Sequence, residues 1–233
     1  MIIDELRREI KRHDKPENKI DAQQFFKERL KNRFALKTPI ARKISNNHFK
    51  KIKNLSKKEI LDICDEMLES GGLRFYAFEW AIKLKDQYEP RDFARFEKWL
   101  KLYVDSWASC DHLSCAIGPL VYMYPEPLPR IKKWTKSKSR WLKRMSAVAL
   151  IHAVRRGKYL DDVFKTADIL LRDEDDMVQK GYGWMLKDAS NAFPDEIFEY
   201  VMRNKRHMPR TALRYAIEKL PPSKKKQAMK KDW

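Results

Sequence analysis

Apolar residues recur at intervals of three and four along most of the chain, the spacing that gathers them on one face of an α-helix. No run shows the alternation of a half-buried strand. Pro16, Pro39, Pro90, Pro125, Pro194, Pro209 and Pro221 fall between these periodic stretches. There a proline can open or stop a helix without breaking its interior. Only six glycines are present, too few to supply many tight hairpin turns. The pattern predicts about a dozen short helices and an all-α fold.

A weak repeat runs through the same helices. Residues 74–84 (RFYAFEWAIKL), 107–120 (WASCDHLSCAIGPL), 141–154 (WLKRMSAVALIHAV), 178–189 (VQKGYGWMLKDA) and 211–220 (TALRYAIEKL) are each rich in aromatics and alanine. A more charged helix precedes each of them. Aligning Tyr76, Asp111, Arg144, Lys180 and Arg214 gives spacings of 35, 33, 36 and 34 residues. Two helices per period of that length is the pattern of an α-solenoid, in which each pair covers its neighbour's apolar face. The expectation is one curved superhelical domain over residues 1–233, with residues 222–233 a frayed basic tail. Equivalent positions of stacked repeats line up as a row, so these five residues are expected to project toward one concave, basic face.

Charge narrows the partner. Lys and Arg total 51 against 33 Asp and Glu, a net charge of +18. A polyanion suits such a surface, because each phosphate neutralised releases condensed counterions. Against that background Asp111 is out of place, since it would repel a DNA backbone. Three cysteines (Cys64, Cys110 and Cys115) show no framework spacing and fit a reducing compartment. No apolar run approaches the roughly 20 residues of a membrane span. A cytoplasmic, nucleoid-associated monomer without membrane contact is the expectation.

The candidate chemistry centres on one helix. Trp107 and Asp111 are four residues apart and share a side of a helix capped by Asp105 or Ser106. The core stripe of that helix is assigned to Cys110, Leu113, Ile117 and Val121. Ser114 and Gly118 continue the Trp107–Asp111 side and would form the floor of a shallow groove. Trp184 follows Lys180 by four and sets a second indole beside the expected row, whereas Trp80, Trp99 and Trp141 suit packing between repeats. Gly181 and Gly183 interrupt a helix at a cost of about 1 kcal/mol each relative to alanine. Either a neighbouring helix or a ligand must approach closely there. Cys110, His112 and Cys115 scatter around their helix, so no metal site is expected. No nucleotide-binding glycine motif occurs, so no cofactor is expected.

SWASCD (106–111), WLKR (141–144) and QKGYGWMLKD (179–188) resemble segments of the AlkD-type DNA alkylpurine glycosylases. Residues 25–43 and 210–220 extend the likeness more weakly. The resemblance implies an array of HEAT-like antiparallel helix pairs, acting on double-stranded DNA that carries alkylated purines. It implies that Asp111 is the catalytic carboxylate, that Trp107 and Trp184 wall the lesion, and that Arg144 engages a phosphate. Lys187 stands where an arginine is common, which exchanges a bidentate phosphate contact for a point charge. Phe26 matches an aromatic position near the lesion, while Ala35 and Ala108 depart from the pattern. Lys180, Arg214 and Tyr76 complete the expected DNA-binding set. Two other readings fit the repeat: a non-catalytic protein binding distorted or branched DNA, and a protein scaffold, which leaves the charge unexplained.

Overall fold

In the computed structural model, residues 1–15, 17 and 36–231 are described; Phe26 and Ala35 lie outside them. Among the described residues every regular element is helical. Among the described residues no helix is long and apolar enough to cross a membrane. The chain read as one domain divides by packing into two compact units, Met1–Tyr88 and Glu89–Trp233.

The first unit contains α1 (Ile2–His13), α2 (Thr38–Ile52), α3 (Lys57–Glu69) and α4 (Arg74–Ile82). Ile3, Leu6 and Ile10 form the buried stripe of α1. Its polar side is tied to α2 by Glu9 Oε2 to His48 Nε2 at 2.7 Å and Lys51 Nζ to Glu5 Oε2 at 2.7 Å. Helix α3 starts on a reciprocal capping box between Ser56 and Glu59, which satisfies two donors that a helix start leaves unpaired. Trp80 is buried and donates from its indole nitrogen to Ser45 Oγ at 3.2 Å.

The second unit comprises α5 (Asp92–Tyr103), α6 (Trp107–Met123), α7 (Leu128–Trp134), α8 (Arg140–Val148), α9 (Ile151–Val154), α10 (Leu160–Leu170), α11 (Asp176–Ala189), α12 (Pro194–Asn204), α13 (Arg210–Ala216) and α14 (Pro222–Met229). Helix α11 is its hub and packs on α8, α9, α10 and α13. The polar ties between helices recur at nearly one sequence interval. Arg130 to Glu97, Arg144 to Asp111 and Arg155 to Asp188 each span 33 residues, and Arg140 to Asp175 spans 35. Each tie links a position to its counterpart one repeat away, as the period of about 35 residues in the sequence predicts.

Prolines mark boundaries as expected at Pro39, Pro194, Pro209 and Pro221, next to or inside the first turns of α2, α12, α13 and α14. Pro119 instead lies inside α6. The expected tail is not frayed over 222–229. Ala228 is fully buried, Lys205 Nζ donates to Gln227 O and Lys230 O, and Lys224 pairs with Asp195. One alanine contact and terminal carbonyls capped by a lysine suffice to dock this polar segment.

Candidate active site

The start of α6 is set by Ser106, whose side chain accepts from Ser109 N in a capping box. Of the two caps the sequence allowed, Ser106 is the one used. Cys110, Leu113, Ile117 and Val121 are fully buried, the core stripe the sequence assigned. That rotation leaves Asp111 on the flank, with 20% of its side chain exposed, and Trp107 half-buried one turn before it. Ser114 and Gly118 do not form a groove floor. Ser114 is turned inward, giving its hydroxyl to Asp111 O at 2.7 Å. A Cβ on Gly118 would lie 2.9 Å from His152 Cβ, so its small size serves the contact between α6 and α9.

Arg144, in α8, meets Asp111 edge to edge. Its Nε donates to Oδ1 at 2.8 Å and its Nη2 to Oδ2 at 2.8 Å, while Nη1 donates to Met177 O of α11 at 2.6 Å. Only 7% of the Arg144 side chain is exposed. Burial alone would disfavour the cation, but the hydrogen bonds and charge of Asp111 outweigh it and hold the guanidinium above its ordinary pKa. Arg144 thus meets a carboxylate of its own chain, where the sequence led us to expect a phosphate. Three of its five N–H donors are used, two on Asp111 and one on the Met177 carbonyl, and a planar fork with two parallel bonds fixes the carboxylate's orientation. Asp175 caps the start of α11, accepting from Met177 N at 2.8 Å and Val178 N at 3.3 Å.

The two helix glycines are explained by the neighbouring helices. A Cβ on Gly181 would lie 3.1 Å from Arg144 Cγ, and one on Gly183 would lie 2.8 Å from Tyr215 Cβ and 2.9 Å from Ala212 O. Gly181 therefore faces α8 and Gly183 faces α13. At about 100° per residue, Lys187, Lys180 and Trp184 fall about 40°, 60° and 100° round α11 from Gly183, with Gly181 at about 160°. Trp184, half-buried, thus stands on the arc between Arg144 and Tyr215.

The cations are less free than the sequence suggested. Lys180 Nζ lies 3.4 Å from Asp176, and Lys187 Nζ lies 3.1 Å from Glu218 and 5.8 Å above the Tyr215 ring. Arg214 is exposed on α13. Tyr76 does not join a projecting row. It is 3% exposed within the core of the first unit, where burial raises its phenol. Cys110 is likewise buried, which pushes its thiol up and removes it as a nucleophile. Trp80 and Trp99 are core residues as expected, but Trp141 is only half-buried, with Arg140 stacked 5.2 Å from its ring.

Sequence reasoning passed over two supports, Met177 O and Tyr215, and left open whether a helix or a ligand approaches Gly181 and Gly183. A backbone carbonyl leaves no residue signature. The two glycines carried a signal, but not which helix approached them.

A comparison with curated proteins finds no match. Among solved structures, the fold is similar to a predicted DNA alkylation repair enzyme from Enterococcus faecalis, with a TM-score of 0.78 and 16% identity, over 90% of this chain and 98% of that one. The profile of the DNA alkylation repair enzyme family matches residues 6–220. With nearly its whole length matched, the chain belongs to the DNA alkylation repair enzyme family.

Proposed function

We propose that this protein is a DNA glycosylase that hydrolyses the N-glycosidic bond of N3- and N7-alkylated purines in duplex DNA. The observation that carries the reading is the buried, bidentate Arg144–Asp111 pair, which holds a carboxylate at one orientation while part of it stays exposed. Such a lesion is a cationic purine, so the departing base needs little acid catalysis. The barrier lies in positive charge growing on the sugar as the C1′–N bond breaks. A preorganised carboxylate stabilises that charge and orients the water that adds to C1′, releasing free base and leaving an abasic site.

In this scheme Trp107 and Trp184 offer indole faces to the sugar and its emerging charge. Lys180, Lys187 and Arg214 meet the phosphates, and the resemblance assigns Phe26 to the neighbourhood of the lesion. Arg144 acts through Asp111 and is a positioning residue. Nothing in the mechanism calls for a metal or a nucleotide.

Purified protein incubated with duplex DNA carrying 7-methylguanine or 3-methyladenine is expected to release free base. Asp111→Asn keeps the shape of the side chain but removes its charge and disturbs its pairing with Arg144. Excision is expected to fall about 100-fold, the loss seen when one preorganised electrostatic group is deleted. Absence of release by the unaltered protein would replace this reading with that of a non-catalytic DNA-binding protein, and an unchanged rate in Asp111→Asn would take the catalytic role away from Asp111.

A further inference from the structure

Tyr215 has no role in the scheme above, yet its surroundings converge on the same place. Its backbone stem packs against Gly183, where any side chain on α11 would intrude to 2.8 Å of its Cβ. That contact holds Tyr215 against α11, one residue before Trp184. Lys187 Nζ sits 5.8 Å from the ring centroid, a cation drawn to the aromatic face. The residue is half-buried, and its hydroxyl makes no hydrogen bond among the described residues. By contrast, the hydroxyls of the other ring-bearing residues nearest in kind, Tyr182 and Tyr200, donate to Leu171 O at 3.1 Å and to Asp168 Oδ1 at 2.8 Å.

Two features define what such a hydroxyl would bind. The nearby cations already have protein carboxylates as partners, Arg144 with Asp111 and Lys187 with Glu218, and Glu218 is 58% exposed and can give way. An incoming anion that displaces Glu218 from Lys187 would therefore meet a lysine ammonium with a phenol-bearing ring centred 5.8 Å from it. Resting on the glycosylase reading, we propose that Tyr215 is a further DNA-contacting residue of this site, its hydroxyl donating to a backbone phosphate oxygen beside the lesion. The contact is neutral. It adds affinity and register without adding to the number of counterions released.

The test compares the full-length protein with Tyr215→Phe, which keeps the ring over Gly183 and removes the hydroxyl. Both are titrated with a fluorescent duplex carrying a tetrahydrofuran abasic-site analogue, at several salt concentrations, and melted in parallel. The variant is expected to bind about tenfold more weakly, as for a lost hydrogen bond to a charged group. The salt slope and Tm are expected to stay unchanged. Equal affinity overturns the proposal, and so does a loss of affinity matched by a fall in Tm, which would make Tyr215 a packing residue. Because binding to the analogue needs no catalysis, a protein that releases no base but shows the tenfold difference would sink the glycosylase reading and keep the contact.

Discussion

Arg144 contributes to Asp111 in a way that a phosphate-binding arginine would not. Its guanidinium is buried and pinned on both edges, so replacing it leaves a carboxylate next to the core with neither counter-charge nor donors. Removing one partner of a buried pair costs about 3–5 kcal/mol. Arg144→Met is therefore expected to lower the Tm by several degrees and to abolish base release. The slope of log affinity against log salt should remain that of the unaltered protein. A slope reduced by about 1 would mean that the side chain does neutralise a phosphate. Lys187→Ala, with its ammonium near the surface, is expected to show the opposite pattern: a slope smaller by about 1 and little change in Tm.

Helix α11 shows how a single element carries several contacts at once. Gly181 receives Arg144, Gly183 receives α13, and the intervening arc presents Trp184 and two lysines. Alanine is the better helix former by about 1 kcal/mol, so on propensity alone Gly183→Ala would stabilise. Contacts of 2.8 and 2.9 Å with a Cβ and a backbone oxygen cannot be relieved by a rotamer change. Overpacking of about 1–3 kcal/mol should win, and a thermal melt should show a lower Tm; a raised Tm would show that α13 can shift. At the far end of α11, Asp188 is 1% exposed and takes Arg155 Nη2 and Lys219 Nζ, each at 2.7 Å. Burial would raise its carboxyl, but these two hydrogen bonds and charges outweigh it and hold the group below the ordinary aspartate range. A lowered folded-state pKa means stabilisation present above the unfolded value and lost as pH falls through the folded one. Urea unfolding should therefore show Asp188→Asn well below the unaltered protein near pH 6. The gap should narrow below about pH 4, and a gap independent of pH would deny the ion pairs their part.

At the scale of the whole molecule, a net charge of +18 implies duplex binding that weakens steeply with salt, and a nearly flat dependence in a titration would count against DNA as the partner. Much of the helical architecture was legible before any coordinates. A period of three to four residues can only be buried by helices, and prolines at 39, 194, 209 and 221 can only sit near their ends. The spacing of about 35 residues matches the 33 to 35 residues between the partners of four ties, although the ties themselves were not expected. The rotation of α6 followed from four apolar residues, and with it the flanking place of Asp111. Three other matters were settled by tertiary packing. Tyr76 occupies the aligned position in its repeat but is buried in the first unit, because equivalence along a chain does not set exposure. Residues 222–229 read as a basic tail, but one buried alanine and Lys205, the residue that follows α12, dock them. Whether Arg144 would face a phosphate or a carboxylate depended on how closely α8 approaches α6 and α11. Sequence spacing determines the face of a helix on which a charge lies, but the distance between helix axes determines which opposite charge it meets.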